Sequence, residues 1–134
     1  MTARPAAPVE PVAPLADASA AQAREAVEAQ VKAWAAAWAA RDVPAYLATY
    51  GADFATPRGV SRAAWEKTRH DRITEKSRIT VEVQNLSISV MGDNATARFR
   101  QAYSADSLNV NSNKTLALRK TGDKWLIVRE SVGN

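Results

Sequence analysis

Few residues in this 134-residue chain could do acid–base chemistry. Glu130 or Asp42 could act as a base, and Tyr46, Tyr50 or Tyr103 could polarise a substrate oxygen. A carboxylate and a phenol facing one cavity is the pairing that stabilises an enolate or opens an epoxide. Two features weigh against that use. Asp42 stands before Val43-Pro44 and is fully explained as a helix cap, and Glu130 has cationic candidates in Arg69 and Lys114. A carboxylate paired with arginine is held ionised and makes a poor base. Binding uses the same side chains better. Arg69 offers a fork suited to carboxylates, while Trp65, Tyr50 and Tyr103 offer walls for a small anionic or peptide-like ligand such as a peptide stem.

The stretch Phe99-Arg100-Gln101-Ala102-Tyr103 alternates like a strand but puts a glutamine and a tyrosine on the side of its phenylalanine. An unpaired amide or hydroxyl on a buried face costs on the order of 1 to 3 kcal/mol, so each needs a partner. Arg69, Lys114 and Glu130 are the partners expected. The candidate polar pocket is therefore Tyr50, Trp65, Arg69, Gln101, Tyr103, Lys114 and Glu130, with no catalytic residue assigned. His70 is the only histidine and there is no cysteine, so neither a zinc site nor a disulfide is expected, and no cofactor.

Helices must position the first of these residues. Val27, Val31, Trp34 and Trp38 fall at spacings of four, three and four, an apolar stripe with Arg24, Glu28 and Lys32 on the other face. Ser19-Ala20-Ala21-Gln22 fits a capping box ahead of it. Before that, Pro5, Pro8, Pro11 and Pro14 recur every third residue, the period of a polyproline II spacer, which places a domain boundary near residue 18: a disordered linker over 1–18 and a domain over 19–134. Such a linker implies a segment attached ahead of it. A short second helix carries Tyr46, Leu47 and Tyr50 and stops at Gly51, and Ser61 caps a third running to about Lys76. In that third helix Trp65, Arg69 and Ile73 are spaced by four, so the helical phase turns Arg69 inward between two apolar neighbours.

The second half reads as strands. Ile79, Val81 and Val83 alternate in one phase and Leu86, Ile88 and Val90 in the other, which requires a bulge near Gln84-Asn85. Ala95 to Tyr103 follows after a turn, then a polar loop through Asn113, a strand from Lys114 to Lys120, and a last one from Lys124 to Val132. A two-residue loop at Gly122-Asp123 puts Trp125 and Ile127 with Leu116 and Leu118; a three-residue loop puts Leu126 and Val128 there, with Lys114 opposite Glu130. Both faces of the last strand are apolar, which would follow if a second subunit covered the outer face of the sheet.

Composition narrows the rest. The chain is 46% apolar and 24% charged, which excludes a disordered polymer, and it has no apolar run of membrane-spanning length. Its formal charge of +4 is concentrated between Arg58 and Arg78, where no stacking aromatics interleave as a nucleic-acid surface would need. Neither nucleic acid nor membrane insertion is expected. The start lacks the charged head and apolar core of a signal peptide.

Several segments in order resemble the nuclear transport factor 2-like, or SnoaL-like, superfamily. They are Val31 to Trp34, Ala37-Trp38, Asp42 to Tyr50, Trp65 to Arg69, Phe99 to Tyr103, Lys114 to Leu118 and Trp125 to Glu130, within residues 22 to 132. More narrowly, they resemble the version appended to bacterial cell-envelope proteins, notably behind L,D-transpeptidase domains. The resemblance implies an α+β cone, three N-terminal helices closing over a strongly curved antiparallel sheet, with a pocket between them and frequent homodimerisation through the sheet. Its motif residues fall on Trp65, Arg69, Gln101, Tyr103, Lys114 and Glu130. It implies a non-catalytic binding or dimerising accessory domain, periplasmic or in the cell envelope if the narrower likeness holds. The alternative is an isomerase or hydrolase of the ketosteroid isomerase or limonene epoxide hydrolase type.

Overall fold

The computed structural model describes residues 12–132, with side chains from Ala20 onward. Among the described residues three helices precede four strands: α1 (Val12–Ala39), α2 (Val43–Ala48), α3 (Arg62–Thr74), β1 (Ile79–Met91), β2 (Asn94–Ala105), β3 (Leu108–Thr121) and β4 (Lys124–Val132). The strands form one antiparallel sheet in chain order, with α1 lying across its inner face mainly against β1. This is the expected α+β architecture.

The helix caps follow the sequence in two places out of three. The Asp42 carboxylate accepts from the Ala45 N–H at 3.2 Å and the Ser61 hydroxyl from the Ala64 N–H at 3.1 Å, each filling an orphan donor of a first turn. The Ser19 capping box does not start α1, whose first residue is Val12, so the expected boundary near residue 18 falls inside a helix. Alanines dominate 16–23 and favour helix, and Pro14 lies in the first turn, where a missing N–H breaks no bond. The proline-rich residues 1–11 lie outside the described residues. Arg41 has a left-handed φ of 59° and sends its guanidinium to the Thr74 carbonyl at 3.2 Å, satisfying the end of α3 from the α1–α2 corner.

The expected bulge is present: the β1–β2 register shifts between Gln84 and Ser87, and Asn85 takes φ 55°. Both apolar sets of β1 consequently pack toward the core, and the two segments form one bent strand. Another expectation is corrected. Asn109–Asn113 is strand, not loop, because β2 turns into β3 at Asp106-Ser107, with Ala105 opposite Leu108. Asp106 adopts φ 54° and its carboxylate accepts from Ser77, so the polar stretch extends the sheet past the core, where strand residues need no burial.

At the last hairpin Thr121 pairs with Lys124, a two-residue loop, so Trp125 and Ile127 are buried with Leu118 and Leu116. The register then slips between Ala117 and Leu118. Leu116 consequently faces Glu130, and Glu130 joins the inner side together with Lys114. The free edge of β4 is taken up by the segment after α2: Gly51 N–H donates to the Ile127 carbonyl at 2.8 Å and Ala55 N–H to the Val128 carbonyl at 2.9 Å. Leu126 and Val128 are half-buried beside that segment.

The core joins Val27, Val31 and Trp34 of α1 to Leu116, Leu118 and Ile127 of the sheet, all essentially without exposure. Trp34 packs edge-on against Phe99 with ring centroids 5.8 Å apart, and Tyr50 meets Trp65 at 4.8 Å. Each such pair is worth about 0.5 to 1.5 kcal/mol beyond its burial. Among the described residues no helix is long and apolar enough to cross a membrane.

Candidate functional site

Five elements converge at one end of the core. The phase of α3 buries Trp65 and Ile73 and carries Arg69 inward between them, as the spacing predicts. Tyr46 and Tyr50 arrive from α2 and the residues after it, Trp34 from α1, Lys114 from β3 and Glu130 from β4. Glu130 is the centre. Its side chain is 5% exposed and both oxygens are engaged: Lys114 Nζ donates to Oε2 at 2.6 Å, and Arg69 Nη2 donates to Oε1 at 3.0 Å. The Tyr50 hydroxyl donates to the same Oε1 at 3.3 Å.

That donation orders the rest. A phenol has one proton, so Tyr50, which gives its proton to Glu130, can only accept elsewhere. It accepts from the Trp34 indole N–H at 2.9 Å and from the Tyr46 hydroxyl at 3.0 Å. Tyr46 in turn accepts from Arg69 Nη1. A closed ring results in which donation runs from Arg69 to Glu130 by two routes, directly and through Tyr46 and Tyr50. The guanidinium also stands 5.0 Å from the Trp65 ring centre and the Lys114 ammonium 5.7 Å from that of Trp34, cation–π distances that add attraction without an anion.

Electrostatics follows the geometry. Burial pushes the Glu130 carboxyl up, but Lys114 and Arg69 outweigh it and hold the group below the ordinary carboxylate range. Burial works against the charge on Arg69 as well, yet Tyr46, Glu130 and Tyr50 overcome it and keep the guanidinium protonated. Burial raises Tyr46 and, further, Tyr50, where neighbouring Tyr46 and Glu130 add to the effect. The ring with Lys114 thus carries two cations and one anion, its phenols neutral.

Of the seven pocket residues expected from sequence, the structure brings Tyr50, Trp65, Arg69, Lys114 and Glu130 together, sets Tyr103 in the wall of the cleft beside Arg69 and Lys114 without a bond to them, and leaves Gln101 apart. Gln101 and Tyr103 do face inward on β2, but neither bonds to Arg69, Lys114 or Glu130. Gln101 is buried and its Oε1 has no hydrogen-bond partner among the described residues; the Trp65 Nε1 is in the same position. Tyr103 stacks on Trp38, centroids 5.0 Å apart and planes 28° apart. The reason is register. Gln101 pairs with Ser112 and Tyr103 with Val110, so both lie farther along the sheet than Lys114, which is opposite Phe99. Tyr46 and Trp34 are full members that the residue list missed. Tyr46 is one turn from Tyr50 on the same helical face, and that spacing was the available signal.

Two clefts open beside the ring. One of about 470 Å³ has Trp38, Tyr103, Leu108 and Val132 as its apolar surface and Arg69, Arg72, Lys76 and Lys114 as its cations, with Glu75 its one carboxylate. Leu108 and Val132 are strongly exposed for their type. The other, about 310 Å³, lies between Phe54, Pro57, Trp65 and Val132, with Arg69, Lys114 and Glu130 at its base. Neither contains a candidate base other than Glu75 and Glu130.

Comparison with known proteins places the arrangement. Residues 26–131 match the family model of the Cds6 C-terminal NTF2-like domain. No curated protein matches the chain. Among solved structures, Bd1075 of Bdellovibrio bacteriovorus superposes with a TM-score of 0.73 at 24% identity, covering 80% of this chain and 38% of that one. A putative aromatic ring hydroxylase from Novosphingobium aromaticivorans gives 0.72 at 20% identity, covering 82% and 87%. The helical cell shape determining protein Pgp2 of Campylobacter jejuni gives 0.68 at 15%, covering 77% and 38%. The chain therefore spans less than two fifths of Bd1075 and of Pgp2. At these identities the likeness establishes the fold.

Proposed function

The chain belongs to the family of Cds6 C-terminal NTF2-like domains, and from its site we propose a non-catalytic binding module whose cleft takes a small anionic or peptide-like ligand. One observation carries the reading: both oxygens of Glu130, the best-placed carboxylate, are held by Lys114 and Arg69. A general base needs a proton affinity near the working pH, and Glu130, ion-paired through both oxygens and held below the ordinary carboxylate range, lacks it. Asp42, the other candidate, is occupied as the cap of α2. The isomerase or hydrolase reading is left with Glu75, an exposed residue of the larger cleft, as its base.

Support for an anionic ligand comes from the larger cleft, where four cations face one carboxylate over an apolar floor that includes the Trp38–Tyr103 stack. Arginine at such a rim binds carboxylates through its fork. The test is a titration of isotope-labelled protein with the tripeptide L-alanyl-γ-D-glutamyl-L-lysine. Amide shifts should gather around Arg69, Arg72, Lys76 and Tyr103, and Arg72→Gln with Lys76→Gln should weaken binding about tenfold. No shifts with this or any carboxylate peptide would overturn the ligand class. Turnover of an epoxide or an enolisable ketone that disappears in Glu130→Gln would overturn the non-catalytic reading.

We place the module in a bacterial cell-envelope or peptidoglycan-related protein, a context supported by the motif resemblance and by the likeness to a cell shape determining protein. A second subunit packed on the sheet at its β4 side, clear of β1 and β2, is part of the same proposal, supported by the outward Leu126 and Val128, which the segment after α2 leaves only half-buried. Sedimentation giving a monomer mass at every concentration would refute it.

A further inference from the structure

The outer face of the sheet carries a feature that the cleft does not use. Arg98 and Arg100 are both exposed on β2 and, alternating with the buried Ala97, Phe99 and Gln101, point away from the core. Neither has an ion-pair partner among the described residues. The register sets Arg98 between Ser87 and Thr115, and Arg100 between Gln84 and Asn113. Beside them the β1 bulge, with Asn85 in the left-handed region, bends the strand and leaves a hollow of about 370 Å³. Arg98, Arg100, Asn85, Ser87, Asn113 and Thr115 line it, with the inward-facing Phe99 and Lys114 beneath, and among the described residues no carboxylate does. The nearest acid by register is Glu82, which is opposite Ala102 and accepts a bond from Gln84 at 2.8 Å.

We infer that this hollow is a second binding site, independent of the cleft, for an extended acidic peptide segment. Two arginines at i and i+2 of one strand are spaced by roughly 6.8 Å, and so are carboxylates at i and i+2 of an extended peptide, so two bidentate pairs form in register. The flanking amides and hydroxyls supply donors and acceptors for the peptide backbone. Charge complementarity selects an acidic partner. Phe99, the one aromatic residue along the hollow among the described residues, is buried with its ring against Trp34 on the inner side, so the hollow offers no stacking platform of the kind single-stranded nucleic acid requires.

A fluorescein-labelled dodecapeptide of alternating glutamate and threonine, read by anisotropy in low salt against the full chain, tests this. Binding should weaken about tenfold or more in Arg98→Gln/Arg100→Gln and fall steeply with added salt. The same loss should appear when the β2 substitutions are made in an Arg72→Gln/Lys76→Gln background, which removes the cleft's own attraction for carboxylate peptides. Amide shifts of the wild-type protein with the same peptide should map to Ser87, Arg98 to Arg100 and Asn113 to Thr115, which keeps the inference testable should the double variant misfold. Absence of binding, undiminished binding by the β2 variant, or no loss from the β2 substitutions in the cleft-variant background each overturns it. Tighter binding of a polyuronate or an oligothymidylate overturns the choice of peptide.

Discussion

Glu130 meets Lys114 only because the β3–β4 ladder slips by one residue between Ala117 and Leu118. Continued without the slip from Leu118 opposite Ile127, the ladder would pair Leu116 with Arg129, turning a third cation inward and the carboxylate out. The bulge thus converts an apolar hairpin into one that delivers a buried anion 2.6 Å from a buried cation. The rest of the ring depends on that choice.

Neutralising Glu130 should therefore cost more than removing either cation. In Glu130→Gln the Lys114 ammonium, 6% exposed, stays in the core with no anion, a situation worth about 3 kcal/mol or more and a fall in Tm of roughly 10 °C for a domain this size. Lys114→Met leaves Glu130 paired with Arg69 and should cost clearly less. Thermal melts of the two variants decide it, and a Lys114→Met protein less stable than Glu130→Gln would contradict the central role of the carboxylate.

Arg69→Lys should fail to restore what Arg69→Ala loses. The guanidinium bonds Tyr46 through Nη1 and Glu130 through Nη2, and one ammonium cannot occupy both positions. Denaturant unfolding should place Arg69→Lys nearer to Arg69→Ala than to the wild type. An unchanged midpoint in Arg69→Ala would refute the inward placement.

Gln101 gives a prediction of opposite sign. Its Oε1 is buried without a partner among the described residues, so Gln101→Met removes a desolvation cost while keeping length and volume. The variant should be as stable as the wild type or more so, by up to about 1 kcal/mol. A loss above about 1 kcal/mol in a chemical melt would mean that the amide is bonded after all.

Helical phase made much of this site legible. Trp65, Arg69 and Ile73 needed only the spacing of four, and Asp42 and Ser61 needed only their places before apolar runs. Strand register was not legible to the same degree. An alternating pattern states which residues share a face but not where along a neighbour they fall, so Gln101 and Tyr103 were assigned partners that lie farther down the sheet. The β3–β4 slip was equally hidden, because Trp125, Leu126, Ile127 and Val128 are apolar on both faces and carry no phase. The β1 bulge was visible for the converse reason, a change of phase between two clean alternations.

The pH dependence of stability should have two limbs with separate owners. Glu130 is held below its ordinary value in the folded protein, so its contribution is present above the unfolded carboxylate pKa of about 4.3 and is lost as pH falls through the folded value. Tyr46 and Tyr50 are raised by burial, so their contribution is present below the unfolded phenol pKa of about 10 and is lost as pH rises toward the folded values. Both limbs should appear in Tm measured against pH. Asp71 and Asp106 are also held low, so the acid limb should become shallower in Glu130→Gln rather than vanish. Tyr50→Phe should weaken the alkaline limb and also lower stability at neutral pH by about 1 to 3 kcal/mol, since the buried Trp34 N–H loses its acceptor. An acid limb identical in Glu130→Gln and wild type would mean that the carboxylate is not ionised in the folded protein, and the ring of charges would have to be abandoned with it.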